Sequence, residues 1–366
     1  MRILKYIGLS IALLVVVLTI SIWYVFSWPA FGGSATGERL ARMKQSPQYV
    51  DDHFENTPPQ VPYNLWVNIQ DRWHATNRFP PSAFPVIRPR VTEPQDSILS
   101  ATWLGHATVL IDIDGLRVLT DPMLSEFAFP VEFVAPQRLN RSPIALNELP
   151  SVDIVTISHD HYDHLDMQTI QHLAAGGSHF FVGLGIGAHL EVWNVPVEQI
   201  HEMDWWEKAS FKGFNIHCMP ARHYSGRKAP NNSTLWSSWV VEGPVHTIYH
   251  SGDSGYSPHF KQIGERVGHI DIAFIKIGDY GMDESWRDIH MVPEHSVQAS
   301  LDLKASVMFP IHWGTFVLSN HPWDEPIHRA TAAAATQEVN LVTPRLGERY
   351  QHDFPYVSED WWSKVK

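Results

Sequence analysis

A single cysteine, Cys218, occurs in 366 residues. That scarcity excludes an internal disulfide and a thiolate-rich metal site, so any metal held by this chain rests on nitrogen and oxygen ligands. Cationic side chains are also few: 27 Lys and Arg stand against 39 Asp and Glu, for a formal net charge of −12. Polyanion binding depends on clustered Lys and Arg that displace counterions, so nucleic acid is not expected as the main partner. Charged residues make up 18% of the chain and hydrophobic residues 44%, a balance that sets disorder aside and fits a globular protein with a large core. No internal repeat is evident.

One long apolar run is present, at the N-terminus. From Ile7 to Trp28 the sequence is uncharged and apolar apart from a few hydroxyls, long enough to cross the hydrocarbon core as a helix. A cleaved signal peptide would stop earlier at a small-residue site. Here the run continues through Trp23, Tyr24, Phe26 and Trp28 as an interfacial aromatic belt, so residues 1–28 read as an uncleaved single-pass anchor. Arg2 and Lys5 precede the span, and its far side is uncharged until Glu38 and Arg39. That bias holds the N-terminus in the cytoplasm and sends the remaining chain to the outer side of the cytoplasmic membrane.

Residues 29–95 are rich in Pro, Asn and aromatics (Tyr63, Trp66, Trp73, Phe79, Phe84) without a sustained period, which suggests an arm wrapped on the main domain. The aromatics are expected to pack on that domain, with contact to lipid as the alternative. From residue 96 the pattern changes to short β-branched runs closed by Gly, Asp or Pro: Leu99–Leu104, Ala107–Ile113, Leu116–Thr120 and Val152–Ser158 read as strands. Met167–Ala175 reads as a helix with Asp166 as N-cap and Gly176 as stop, and Pro293–Leu303 has the spacing of one apolar helical face. Strands gathered early and again after Phe211, with helices between and after, suggest two β-α halves packed sheet on sheet with helices outside.

Histidine is what the chain has in excess. Its 22 copies nearly match Lys and Arg combined, and neutral imidazole is the commonest metal ligand among side chains. The densest cluster is Ser158-His159-Asp160-His161-Tyr162-Asp163-His164, directly after the apolar run Val152–Ile157. In an extended exit from a strand, His159 and His161 point the same way and can share one metal. The turn toward the helix capped by Asp166 then lets Asp163 and His164 face a second ion. Packed structural histidines occur singly; this cluster would be costly to desolvate without a compensating cation.

The His-x-His-x-Asp-His string resembles the signature of the metallo-β-lactamase superfamily, and Ile157–Asp166 is similar to its N-acylphosphatidylethanolamine-hydrolysing phospholipase D branch. Further stretches agree: Trp103-Leu104-Gly105-His106-Ala107-Thr108-Val109, Leu119-Thr120-Asp121-Pro122, Arg141-Ser142-Pro143, Met203-Asp204-Trp205-Trp206-Glu207 and Ile311-His312-Trp313-Gly314-Thr315-Phe316. The resemblance runs from Leu99 to Arg345. It implies an α/β fold, a four-layer αββα sandwich, which here would follow the N-terminal transmembrane helix as a hydrolase domain over residues 96–366.

The same resemblance implies the remaining ligands. His223 fits the third imidazole of a first site with His159 and His161, leaving an open position for water. Asp253 matches a bridging carboxylate, placed after the strand-like Thr247–His250 in a Gly-flanked turn. His312 completes a second site with Asp163 and His164. Asp163 and Asp253 then carry catalysis by fixing a metal-bound hydroxide, the nucleophile. His106, Tyr256, His290 and His321 are candidates for substrate contact or for support behind the ligands. His172, His179, His189, His201, His217, His246, His269 and His328 have no ligand-like context and read as ordinary.

Two divalent cations are implied, zinc first on a nitrogen-rich donor set, with iron or manganese able to occupy the same donors. Such pairs, roughly 3.5–4 Å apart, suit hydrolysis of a phosphodiester. The resemblance implies cleavage of N-acylphosphatidylethanolamine to phosphatidic acid and an N-acylethanolamine, with a phospholipid as substrate, the membrane as partner and a homodimer as a candidate assembly. Trp103–Thr108 and the metal motifs are also similar to ascorbate-6-phosphate lactonase-like proteins, so a lactone or another phosphodiester is the rival substrate. A noncatalytic metal-binding envelope protein is the reading from outside enzymes; a ligand set with an open position argues against it.

Overall fold

The computed structural model describes residues 2–227 and 231–365. Helix α1 (Arg2–Phe26) stands clear of the remaining chain, and its Lys5–Phe26 portion is long and apolar enough to cross a membrane. The arm that follows holds α2 (Gly37–Met43), a two-stranded ribbon of β1 (Tyr49–Val50) and β2 (His53–Phe54), and α3 (Leu65–His74). Met43 and Phe54 bury against Leu184, Leu235 and Trp236, and Arg39 forms ion pairs with Glu191 and Glu202, so this part of the arm is fastened to the sheets.

Two sheets form the centre. The first contains β3 (Leu99–Gly105), β4 (Thr108–Ile113), β5 (Leu116–Thr120), β6 (Ile154–Ile157), β7 (His179–Gly183) and β8 (Ile200–Met203), edged by β15 (Arg349–Gln351) in the order β15-β3-β4-β5-β6-β7-β8. The second contains β9 (Lys208–Phe211), β10 (Phe214–Met219), β11 (Ser238–Glu242), β12 (Thr247–His250), β13 (Ile270–Lys276) and β14 (Ala305–Ile311), in the order β14-β13-β12-β11-β10-β9. Each sheet is antiparallel through its hairpins and turns parallel where helices make the crossovers, at β5-β6-β7-β8 and at β12-β13-β14.

Burial follows from the layering. Every residue of β3 and of β6 is buried, because one face meets the other sheet and the other meets helices or the arm. Trp103, Val109 and Ile111 pack against Ile216, Trp239 and Phe274 between the sheets. Outside the first sheet, α4 (Met167–Ala175) and α5 (Gly187–Val192) cover Val155, Ile157, Phe180 and Val182 with Ile170, Leu173 and Leu190. Outside the second, α6 (His259–Val267), α8 (Pro293–Asp302) and α9 (Glu325–Thr336) bury Phe260, Val297 and Ile327. A short α7 (Glu284–Arg287) lies in the β13–α8 connection. The result is the expected αββα sandwich, with one addition: β15 returns from the far end of the chain to edge the first sheet.

Asp166 is the N-cap residue of α4 as expected, though its carboxylate bonds no helix N–H; Ser125 and the Thr169 hydroxyl donate to it instead. One expectation is corrected. The arm does contain a helical period, and of its named aromatics only Phe84 is buried, against Trp313, Trp323 and Trp361. Tyr63, Trp66, Trp73 and Phe79 are exposed.

Candidate metal centre

Strands of an open α/β layer leave a crevice beyond their carboxyl ends, where loops from neighbouring strands meet. The C-terminal ends of β5, β6, β10, β12, β13 and β14 lead within a few residues to Asp121, His159, His223, Asp253, Asp279 and His312. His106 joins them from the β3–β4 turn. Four of these rim residues, His106, Asp121, Asp279 and His312, have φ of 53°, 36°, 61° and 61°. Non-glycine residues in the left-handed region cluster where surrounding structure over-determines a functional geometry. At Gly252 the chain needs both φ of +52° and the missing side chain, since a Cβ would strike Ser158; this turn delivers Asp253.

Three imidazoles meet first. His159 Nε2 lies 2.8 Å from His161 Nδ1, and His223 Nε2 lies 3.3 Å from the same atom. The outer nitrogens of His159 and His223 are held from behind, by the Ser158 hydroxyl at 2.9 Å and by the Ile289 carbonyl at 3.2 Å, which orients the rings. A second group comprises His106, Asp163, His164 and His312, whose ligand atoms all lie within 4.8 Å of one another. His106 Nε2 sits 2.8 Å from Asp163 Oδ2, and Asp121 holds His164 Nδ1 at 2.7 Å. Asp253 stands between the groups: its carboxylate is 2.9 Å from His312 Nε2, 3.4 Å from His164 Nε2 and 3.7 Å from His223 Nε2.

These donors suit divalent metal. His164 Nε2, His312 Nε2 and Asp253 Oδ1 are buried and, despite those distances, none has a hydrogen-bond partner of acceptable direction. Leaving such atoms unsatisfied costs about 1–3 kcal/mol each, which a shared cation removes. Burial, then the neighbouring imidazoles, push His159 well below the usual histidine range; at His223 burial leads again, with His161 adding to it. Both are therefore neutral, as a ligand must be. Burial opposes ionisation of Asp163 and Asp253, yet the surrounding histidines hold both carboxyls well below their ordinary value. Burial also opposes a proton on His164, but Asp253, Asp163 and Asp121 outweigh it and raise that group well above its usual range. Three carboxylates around one imidazole mark a place that demands positive charge.

The sequence-derived residues divide clearly. His159, His161, Asp163, His164, His223, Asp253 and His312 come together, and His106 and His290 join them, the latter with Nδ1 3.9 Å from Asp253. His321 sits one step back, where its Nε2 accepts from the Asp279 amide at 2.9 Å. Tyr256 does not join: its hydroxyl donates to Asp302 and its ring stacks on Phe260, because the turn after Asp253 sends it toward α6 and α8. His189, read as ordinary, is buried beside Asp160 at 3.2 Å and so braces the metal loop from behind. Sequence reading missed Lys276, Asp279 and Tyr224. Lys276 is fully buried at the end of β13, where its ammonium donates to the Gly278 carbonyl; burial pulls it down to about 8 against the pull of Asp253 and Asp279. Burial pushes the Asp279 carboxyl well up. The available signal for Lys276 was a single charge inside the apolar run Ile272–Ile277. The Tyr224 ring lies 4.5 Å from that of His161.

Comparison with known proteins agrees with this geometry. A model of the β-lactamase superfamily domain matches residues 116–313. The chain is 33% identical over 273 residues to N-acyl-phosphatidylethanolamine-hydrolyzing phospholipase D 1 of Caenorhabditis elegans, covering 70% of this chain and 76% of that protein. The chain belongs to the metallo-β-lactamase superfamily, in its phospholipase D-like branch. An uncharacterized protein of Mycobacterium tuberculosis shares 41% identity over 347 residues, 91% of this chain and 92% of that one. Among solved structures, a metallo hydrolase of Ignicoccus hospitalis superposes with a TM-score of 0.56 at 20% identity, covering 71% of this chain and all of that one, which bears on the fold alone. A metallo-β-lactamase fold with these His and Asp clusters is that of a metal-dependent hydrolase.

Proposed function

We propose that this protein is a membrane-anchored, binuclear phosphodiesterase of phospholipase D type, cleaving N-acylphosphatidylethanolamine into phosphatidic acid and an N-acylethanolamine. The observation that carries the reading is Asp253, a buried carboxylate facing both the His159–His161–His223 group and the Asp163–His164–His312 group. A single aspartate so placed could serve two cations, of which His159, His161 and His223 would hold one and Asp163, His164 and His312 the other. Zinc is the first choice for this nitrogen-rich set. When bound, such a pair supplies Lewis acidity toward phosphoryl oxygens and acidifies the attacking water.

The chain's own groups do the rest. Asp163 and Asp253 stay ionised and fix where positive charge can sit; Asp163 is in turn steered by His106. His290, wedged between Asp253 and Asp279, stands where it can reach a substrate oxygen. Water adds to phosphorus, the bond from phosphorus to the ethanolamine oxygen breaks, and the proton ends on the released alcohol. Helix α1 keeps the cleft at the bilayer, and Arg2 and Lys5 favour the outer side of the cytoplasmic membrane for the hydrolase domain. The similarity to the nematode enzyme supports the lipid substrate over a soluble lactone.

The test is metal analysis of the purified full-length protein together with hydrolysis of N-acylphosphatidylethanolamine in mixed micelles. Two metals per chain with release of N-acylethanolamine is expected. Two metals with no such product, but turnover of a lactone or another phosphodiester, replaces the substrate and keeps the site. Equal rates for the native chain and His161→Ala on every substrate would remove the enzyme reading.

A further inference from the structure

Helix α3 is built inside out. Leu65, Trp66, Ile69 and Trp73 fall within one 100° arc of the helix, the spacing of an apolar stripe that ordinarily faces a core. Here that stripe points away from the protein: Trp66 is 74% exposed and Trp73 85%. The face turned inward is polar. Asn68 is buried, and the Asp71 carboxylate accepts from the Met282 amide. Propensity and local hydrogen bonds therefore hold the helix in an orientation that leaves its most apolar surface uncovered. A soluble protein rarely exposes a contiguous patch of this kind unless it binds something.

The position of α3 says what covers it. It lies over the loop that carries Asp279 and His290, through Asn64 to Ser285 and Asp71 to Met282, and so stands beside a segment of the metal centre. The loop after β5 also exposes a large apolar side chain, Phe133 at 89%. Phe129 of that loop packs on Tyr162 of the histidine motif and on Phe31, and Phe31 packs on Phe26 at the end of α1. A groove of about 510 Å³ lies beside these aromatics, lined by Trp28, Phe129 and Tyr162. The end of α1 is thus joined through Phe31 and Phe129 to Tyr162 of the histidine motif, and large aromatics stand exposed on α3 and on the loop after β5.

We propose that α3 and the Phe133 loop form a bilayer-seated face, with the aromatic stripe lying in the interfacial layer of the membrane that α1 spans, so that the metal centre opens directly onto lipid. Trp and Tyr prefer that layer because their rings are apolar and their N–H and O–H groups remain wet. An interfacial helix binds by buried apolar area on one side with polar groups on the other, the arrangement α3 displays. The proposal rests on the reading of α1 as a membrane span, and not on which bond is cleaved.

Cys218 is fully buried, so a cysteine introduced at the surface can be labelled alone. The full-length chain carrying Trp66→Cys, Trp73→Cys, Phe133→Cys or Val245→Cys is labelled with an environment-sensitive dye and reconstituted into phosphatidylcholine–phosphatidylglycerol vesicles with a lipid-borne quencher. Val245, exposed in the β11–β12 turn at the opposite end of β12 from Asp253, is the control. Probes at 66, 73 and 133 are expected to shift blue and be quenched while 245 is not. In parallel, Trp66→Ala with Trp73→Ala is expected to raise KM for vesicle substrate about tenfold, leaving kcat in detergent micelles unchanged. Loss of the protein from vesicles under alkaline carbonate overturns the anchor reading and the proposal with it. Retained protein whose three probes behave like 245 overturns the face alone. Oxidative cross-linking of Trp73→Cys into a dimer, with no quenching, assigns the face to a second copy of the chain and also overturns it.

Discussion

The metal centre and helix α3 invert the usual arrangement of a folded protein in opposite ways. In the centre, imidazoles and carboxylates are buried where an apolar core would be more stable. On α3, tryptophans that could each stabilise the fold by about 1.5–3 kcal/mol if buried are left outside. Neither inversion helps the isolated chain fold. Each becomes favourable only with a partner of the matching kind, a cation for the first and a bilayer for the second. The difference lies in precision. The metal centre fixes single atoms, through Ser158, Asp121 and Ile289 behind the rings, whereas α3 needs only the correct side of a helix to face outward.

That contrast is sharpest where one atom is changed. Asp253→Asn or His161→Ala is expected to lower turnover about 10³-fold and reduce bound metal, measured by steady-state hydrolysis with elemental analysis of the same samples. Retained metal and turnover in Asp253→Asn would mean the centre tolerates the looseness seen on α3. Next in size is Asp121→Ala, which frees the His164 ring without removing a ligand atom. Metal affinity is expected to fall 10–100-fold, read by competition with a chromogenic chelator.

Much of the centre was legible in the sequence because four of its donors fall within six residues, after a strand whose period of two aims His159 and His161 together. Resemblance supplied His223, Asp253 and His312, and the fold brings them to the same crevice. Tyr256 was a candidate for substrate contact or support, but the chain after Asp253 carries it to Asp302 and Phe260 instead. Lys276 was hidden because a strand pattern reports alternation, not which end of the strand meets a cleft. On α3 the sequence reading saw no sustained period, and even the helical stripe of Leu65, Trp66, Ile69 and Trp73 would not have said whether that face points in or out. Long-range ties decide that, among them the one between Asp71 and the Met282 amide, a contact across 211 positions.

The loop behind the ligands gives an effect of middle size. Asp160 is buried against His189 and the Gly226 amide; burial resists its ionisation, but these partners bring its pKa down to about 2. A carboxyl depressed in the folded state contributes stability that is complete above its unfolded value near 3.8 and disappears as pH falls through the folded value. The contribution is about 2 kcal/mol. In metal-free protein, the gap in urea-unfolding stability between the native chain and Asp160→Asn should be full at neutral pH and close between about pH 4 and pH 2. A gap that persists unchanged through that window would show that the Asp160 charge does not hold the loop.

The smallest expected effect concerns α3, and its smallness is what makes it informative. Trp73→Gln should change the unfolding free energy of detergent-solubilised protein by no more than about 0.5 kcal/mol, since the side chain is 85% exposed and touches little of the fold. The comparison is Trp103→Ala, between the sheets at 1% exposure, expected to cost about 3–5 kcal/mol by the same measurement. A large loss from Trp73→Gln would mean that the stripe packs against the protein, and the inversion would dissolve. A negligible loss, beside weakened binding to vesicles, would place the value of that tryptophan outside the folded chain.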